Sequence, residues 1–276
     1  MKEKINEAII SILQACAFFG VYFGAQLVCT AIFTFIFSFV AAFKGVTDLN
    51  DITEMITAHT MELTVISNAI AIIGCIFVMI WVRPERDTLA DRLDIRIEFS
   101  KKWQILGTAL ALGVFGQLAI SLVLNLIPFP QSWIDAQIES SAVIIDSPML
   151  IQFIGVAIMA PLAEEIVFRA CIQGTLQQGL PAWLAILIAS LVFGVMHLSP
   201  ISIIYATLLG ILMGWIYYAF NSIIPSMIFH FGFNLLSLLL SESTPLVFYI
   251  ISAVIFAICL GYLIYLSKKN NDIFIR

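Results

Sequence analysis

Long runs of apolar residues dominate the chain. A helix needs about 20 apolar residues to cross the ~30 Å hydrocarbon core of a bilayer, and stretches of that order recur along the whole sequence. Their approximate ranges are 8–43, 62–82, 103–127, 149–175, 182–199, 201–219, 222–241 and 245–267. The pattern predicts an all-α, polytopic integral membrane protein with about eight transmembrane helices, whose connections, including 44–61 and 128–148, are loops.

The first apolar run is long enough to raise a question of topology. As one helix it would extend about 54 Å at ~1.5 Å per residue, so it is either one tilted helix or two spans. Basic residues mark cytoplasmic segments, and here they lie at both termini and in the connection 83–102, while 128–148 contains neither Lys nor Arg. A single first helix places all three basic segments on one side, which predicts that both termini are cytoplasmic.

Composition agrees with this architecture. Hydrophobic residues make up 61% of the chain, charged residues 11%, and the mean hydropathy is +1.04, whereas soluble domains are about 45–50% apolar and about 25% charged. A soluble globular protein is therefore excluded. The net charge is −5 and no basic run exceeds Lys101-Lys102, so no nucleic-acid partner is expected. We predict one membrane domain, 1–276, in the cell membrane with the lipid bilayer as its partner.

A few polar residues interrupt the predicted spans. Because an ionisable residue in a spanning helix is costly, it is a candidate functional residue. The candidates are Glu164, Glu165 and Arg169 in the fourth span, His197 in the fifth, and His230 and Asn234 in the seventh.

Helical spacing suggests different roles for the two glutamates. Glu165 and Arg169 are four residues apart on one face, which favours an ion pair. Glu164 lies roughly 100° around the helix and is left as a candidate general base. His230 and Asn234 are also four residues apart, so both side chains point to the same side of their helix.

Three explanations of this polar set stay open at this point. The residues lie about 12–22 Å from the cytoplasmic ends of their helices, a common depth that favours a shared site. They would also fit polar contacts that only hold helices together, or a proton-coupled transporter. No paired repeat of the kind common in transporters is evident, since the ionisable residues lie in one half of the chain.

The motifs Glu164-Glu165-x-x-x-Arg169, Phe193-x-x-x-His197 and His230-x-x-x-Asn234 resemble the three ordered motifs of the CAAX protease and bacteriocin-processing family. This family includes the Ras-converting prenyl protease. The resemblance covers about residues 160–234, within a catalytic half at about 149–241. It implies an intramembrane endopeptidase that hydrolyses a lipidated or membrane-associated peptide or protein. A non-catalytic partner of the bacteriocin-immunity type is the alternative.

The resemblance also implies roles for the polar residues. Glu164 and His197 activate water, His230 and Asn234 stabilise the oxyanion, and Glu165 with Arg169 supports the site. No cofactor is required by this scheme. The donor set Glu164, His197 and His230 would also suit a zinc ion bound by two His and one Glu, although the sequence lacks the HExxH motif, so zinc stays open as an alternative, as do the oligomeric state and the identity of the substrate.

Overall fold

The computed structural model of the protein describes residues 2–83, 86, 88–96, 101–145, 147–240 and 244–274. All regular secondary structure in these ranges is helical. The helices are α1 (Lys2–Phe43), α2 (Leu49–Thr57), α3 (Thr60–Val82), α4 (Leu89–Arg92), α5 (Lys102–Leu126), α6 (Gln131–Ile145), α7 (Met149–Gly179), α8 (Ala182–Val195), α9 (Pro200–Phe220), α10 (Ile223–Leu239) and α11 (Leu246–Phe274).

The prediction of an all-helical, multi-pass membrane protein is confirmed. In the described ranges six helices, α1, α3, α5, α7, α9 and α11, are long and apolar enough to cross a membrane, and α8 and α10 are shorter apolar helices of 14 and 17 residues. The first apolar run is one continuous helix of 42 residues. The structure therefore supports the single-helix interpretation of this segment.

Two connections predicted as loops contain helices. The segment 44–61 includes α2, and the segment 128–148 includes α6, which packs against α9. Both helices carry too many polar residues, and are too short, to register as apolar runs of spanning length. The α6 helix matters for function because it contributes to the central cavity described below.

The central helices are α7, α8, α9 and α10, and most of the buried side chains lie on them. Around them, α5 packs against both α10 and α11, while α1 packs against α3 and the end of α7. The α5 and α10 backbones approach closely at Gly113, where a Cβ atom would collide with the carbonyl oxygen of Phe229. Only glycine allows this approach, which fixes the position of α5 beside the helix of His230 and Asn234.

Arg83 is an exception among the basic residues of the 83–102 connection. Its side chain is 1% exposed, and Nη2 donates a hydrogen bond to the carbonyl oxygen of Ala170 at 2.8 Å. Nη1 lies 3.3 Å from the Asp94 carboxylate, which also accepts a hydrogen bond of 2.6 Å from Tyr217. Through these bonds Arg83 anchors the start of the connection to α7 and α9.

Candidate active site

The α7 helix, which carries both glutamates, is irregular. Its segments Phe153–Met159 and Glu165–Gln173 are π-helical, and the five residues between them, ending at Glu164, are α-helical. π-helical turns leave backbone groups out of the usual i to i+4 pattern and are frequent at functional sites. They widen the helix on both sides of the candidate base.

Pro161 leaves one carbonyl oxygen of α7 without a backbone donor, so a side chain from another helix can bind it. In the first π-helical segment the Ala160 N–H donates to the carbonyl oxygen of Gly155, five residues earlier. The same pattern would pair the carbonyl oxygen of Val156 with residue 161, but proline has no N–H to donate. Asn234 takes its place, donating from Nδ2 to the Val156 oxygen at 2.9 Å.

Glu165 and Arg169 form the predicted ion pair. The Glu165 Oε2 to Arg169 Nε distance is 3.4 Å, and neither side chain is exposed. The Arg169 guanidinium also lies over the Phe193 ring, 5.2 Å from its centre, a geometry in which a cation is attracted to the aromatic face. The pair lies in the protein interior, and its two opposite charges offset each other.

His230 lies between the two carboxylates. Its Nδ1 is 3.2 Å from Oε1 of Glu165, and its Nε2 is 3.5 Å from Oε2 of Glu164. A neutral imidazole has only one N–H, so it serves only one of the two contacts as a donor. A ring that carries protons on both nitrogens is attracted to both carboxylates.

His197 is oriented by the backbone of its own helix. Its Nδ1 is 3.0 Å from the carbonyl oxygen of Phe193. A carbonyl oxygen only accepts, so Nδ1 carries the proton, and in the neutral ring Nε2 keeps its lone pair. The Phe193 ring packs edge-on against both histidines, with centre-to-centre distances of 4.8 Å to His197 and 6.0 Å to His230.

The chain turns directly after His197 and then begins the next helix, α9. Leu198 has a φ of 62°, a left-handed conformation that is unfavourable for a residue with a bulky side chain. Ser199 then caps α9, accepting a hydrogen bond from the backbone N–H of Ser202, and Pro200 occupies the first helical turn. Serine at the cap and proline just after it are a strong helix-start signal, so α9 begins immediately after the site histidine.

The predicted catalytic residues meet in one cavity of about 690 Å³. Glu164, His197, His230 and Asn234 all line it, and the Glu164 side chain is 16% exposed there. Glu165 and Arg169 do not line this cavity. The structure thus places the four candidate residues on a common surface, with the ion pair behind them.

The contacts within the set differ from those implied by the resemblance. Glu164 contacts His230, and the described residues show neither a hydrogen bond nor an ion pair between Glu164 and His197. Sequence reasoning also missed the cavity-lining Gln117, Gln137 and Tyr205. Gln117 gave a usable signal, because it is a polar residue inside a predicted span, whereas Gln137 lies in a segment taken as a loop.

The donor geometry argues against the zinc alternative. Within the described ranges, no group of three or more His, Cys, Asp or Glu side chains is arranged to hold a metal ion. His230 in particular directs both ring nitrogens at carboxylate oxygens. As placed, Glu164, His197 and His230 do not fit a zinc site, and their contacts suit hydrogen bonding and proton transfer instead.

Together these features define a multi-pass membrane protein with a carboxylate and histidine centre in a cavity between its helices. Residues 146–236, a third of the chain, match the family model described as "Type II CAAX prenyl endopeptidase Rce1-like". This segment contains all six predicted site residues, and the match supports the predicted resemblance to the CAAX protease and bacteriocin-processing family. No curated protein and no solved structure matches the chain.

Proposed function

We propose that the protein is a CAAX-type intramembrane endopeptidase of the cell membrane, which hydrolyses a peptide bond of a lipidated or membrane-associated peptide or protein. One observation carries this proposal: Glu164, His197, His230 and Asn234 line the same cavity, and Glu164 contacts His230 there. A base and hydrogen-bond donors around one space are what hydrolysis of an amide requires.

Glu164 is the proposed general base. Its carboxylate reaches the cavity and has no Lys or Arg partner among the ion pairs of the described residues, so it is free to accept a proton from water. His197 offers the Nε2 lone pair as a second acceptor that orients the same water. The water oxygen attacks the scissile carbonyl carbon, and Glu164 then passes the proton to the leaving amine.

His230 and Asn234 are the proposed donors to the carbonyl oxygen as it becomes negative. His230 donates from Nε2 when its ring carries protons on both nitrogens, with Nδ1 donating to Glu165. Asn234 has two amide N–H groups, of which one is bound to Val156, and the other is available to the substrate. Donors of this kind are each typically worth 10²–10³ in kcat, or about 2.7–4 kcal/mol.

Glu165 and Arg169 support this arrangement without touching the substrate. Glu165 accepts the Nδ1 hydrogen bond of His230 and so fixes which nitrogen faces the cavity. The positive charge of Arg169 offsets the negative charge of Glu165. Because the charges of Glu165 and Arg169 offset each other, Glu164 and His230 set the charge of the cavity wall in this proposal.

Product mapping tests this proposal. The purified protein, reconstituted in lipid, is incubated with a mixed set of peptides that includes prenylated C-terminal CAAX peptides, and the products are identified by mass spectrometry. We expect new termini at a defined bond. Absence of any cleavage, together with retained biological effect of Glu164→Ala, would favour the non-catalytic partner, whereas proton-coupled uptake into vesicles would favour the transporter.

A further inference from the structure

The second π-helical segment of α7, Glu165–Gln173, leaves one backbone acceptor without a partner in its own helix. The N–H of Gly174, the residue after the segment, donates to the carbonyl oxygens of Arg169 and Cys171. Where a helix changes from π to α geometry, the spacing of its hydrogen bonds changes from five residues to four, so one carbonyl oxygen is passed over. Here it is the carbonyl oxygen of Ala170.

Arg83 supplies the missing donor from outside the helix. Its Nη2 donates to the Ala170 carbonyl oxygen at 2.8 Å, and its side chain is 1% exposed. Gly174 makes room for this contact, because a Cβ atom there would collide with Arg83 Nη2 and would lie 2.7 Å from the Tyr217 hydroxyl. A buried carbonyl oxygen without a donor is unfavourable, so Arg83 stabilises the π-helical geometry of this segment.

The Arg83 guanidinium is itself held in place. Nη1 donates to the carbonyl oxygen of Arg92 at 2.8 Å and lies 3.3 Å from the Asp94 carboxylate. Asp94 also accepts a hydrogen bond of 2.6 Å from Tyr217 on α9. The Asp94 carbonyl oxygen accepts one of 3.1 Å from the N–H of Ile223, the first residue of α10. Arg83 and Asp94 therefore connect the end of α3 to α7, α9 and α10.

The register of the π-helical segment determines which way the adjacent glutamate faces. A π-helical turn contains about one residue more than an α-helical turn, and one residue corresponds to about 100° of rotation around an α-helix. Relaxation of the segment to α-helical geometry would therefore turn the residues before it relative to Gly174. Glu164, which lines the cavity 3.5 Å from His230, would be displaced from both.

We infer that Arg83 is a positioning residue for the proposed base: through the Ala170 carbonyl oxygen it holds the π-helical register of α7 that directs Glu164 into the cavity. The inference rests on the proposed function in treating Glu164 as the base. Arg83 does not line the cavity, so it acts without touching the substrate. Its loss should lower the rate of the chemical step more than it weakens substrate binding.

Arg83→Met tests this inference, because methionine keeps an unbranched side chain and removes every donor. With a farnesylated CAAX peptide, we expect kcat to fall about 10- to 100-fold, since a misplacement of about 1 Å can cost 10²-fold, with KM within about twofold. Arg83→Lys retains a donor and should recover part of this loss. Arg92→Met is the matched control, because the Arg92 Nε donates within the same connection, to the carbonyl oxygen of Arg86, and kcat should be unchanged. An unchanged kcat for Arg83→Met would overturn the inference.

Gly174→Ala disturbs the same contact from the other side and keeps the charge of Arg83. Alanine is a better helix former than glycine, so helix propensity alone predicts no loss. The collision of its Cβ with Arg83 Nη2 predicts a fall in kcat like that of Arg83→Met. In the double variant the two losses should not add, because both changes remove one contact. Additive losses would refute the inference, and Gly174→Ala alone tests it if Arg83→Met does not fold: an unchanged kcat would then refute it.

Cysteine labelling reports the helix register without any cleavage. Ala160 lines the cavity, whereas Ala163 is fully buried. In a background without native cysteines, Ala160→Cys should react with a small water-soluble methanethiosulfonate and Ala163→Cys should stay protected. Adding Arg83→Met should slow the labelling of Ala160→Cys, because that face of α7 turns away from the cavity. Unchanged labelling would count against the inference even if kcat fell.

Labelling also separates this inference from the proposed function. If the wild-type protein cleaves nothing but Arg83→Met slows the labelling of Ala160→Cys, the protease proposal fails and the role of Arg83 in the register of α7 stands. If the wild-type protein cleaves but Arg83→Met changes neither kcat nor labelling, the inference fails and the protease proposal stands.

Discussion

Asn234 donates a hydrogen bond from Nδ2 to the carbonyl oxygen of Val156, 2.9 Å away. This bond joins α10 to α7 at the acceptor that Pro161 leaves without a backbone donor. One N–H of the amide is therefore structural, and the other is left for the proposed reaction. Replacing Asn234 should therefore change both the stability of the protein and its rate of catalysis.

Asn234→Ala should lower both stability and rate. Loss of the hydrogen bond leaves the Val156 oxygen unsatisfied, which costs about 1–3 kcal/mol of unfolding free energy. Loss of the proposed donor to the oxyanion lowers kcat by about 10²–10³ with a much smaller effect on KM. Thermal unfolding in detergent and steady-state kinetics measure the two effects separately.

Pro161→Ala provides the control for the structural part. Alanine restores a backbone N–H that can serve Val156, so Asn234→Ala should cost less stability in the Pro161→Ala background than in the wild type. The kcat loss should persist in both backgrounds. Equal stability losses in the two backgrounds would contradict the role assigned to Pro161.

The buried ion pair should be sensitive to removal of one partner. Glu165→Gln or Arg169→Ala leaves a buried charge unpaired, and such changes typically cost about 3–5 kcal/mol. The double variant Glu165→Leu/Arg169→Met removes both charges and should recover part of this loss, while activity stays low because His230 has lost its Nδ1 partner. Unfolding temperature and activity are the measurements. A double variant as unstable as the sum of its singles would argue against a coupled pair.

The zinc alternative predicts a different behaviour from the proposed scheme. Because the His230 ring nitrogens face Glu164 and Glu165, we expect the purified protein to hold no stoichiometric zinc and to stay active with a chelator. Metal analysis of the wild-type and His230→Ala proteins tests this. Stoichiometric zinc that disappears in His230→Ala, with activity lost to a chelator and regained with Zn²⁺, would establish the zinc site instead.

The orientation of the chain is also open to measurement. The distribution of Lys and Arg predicts that α4 is cytoplasmic and that α6 begins on the opposite side. In a background without native cysteines, Ala90→Cys should stay protected from a membrane-impermeant reagent added to whole cells, and Ser132→Cys should react. Both positions are exposed on the protein surface, so reversed labelling would indicate the opposite orientation.

The sequence predicted those features that depend on local spacing. Four-residue spacing identified the Glu165–Arg169 pair, because residues one turn apart on a helix are neighbours whatever the tertiary structure. The distribution of basic residues favoured a single first helix, and α1 is continuous. Matched depth in the membrane anticipated that residues from three helices would line one cavity.

Features that depend on tertiary packing were not predicted. The contact of His230 with Glu165 joins residues that are 65 positions apart, and no spacing rule indicates it. The α6 helix is too short and too polar to be found by apolar run length. The Asn234 side chain binds the carbonyl oxygen of Val156 in the first π-helical segment of α7, just before Pro161, and only the proline is visible in the local sequence.

The most direct test of the proposed mechanism is the hydrolysis rate of purified Glu164→Gln beside the wild-type protein and Glu139→Gln. Glu139 is exposed on α6, so Glu139→Gln makes the same chemical change away from the site. The proposal predicts that wild type and Glu139→Gln cleave a peptide at the same bond, while Glu164→Gln is slower by about 10²–10⁴-fold or more and unfolds at the wild-type temperature. Near wild-type hydrolysis by folded Glu164→Gln would contradict the assignment of Glu164 as the base.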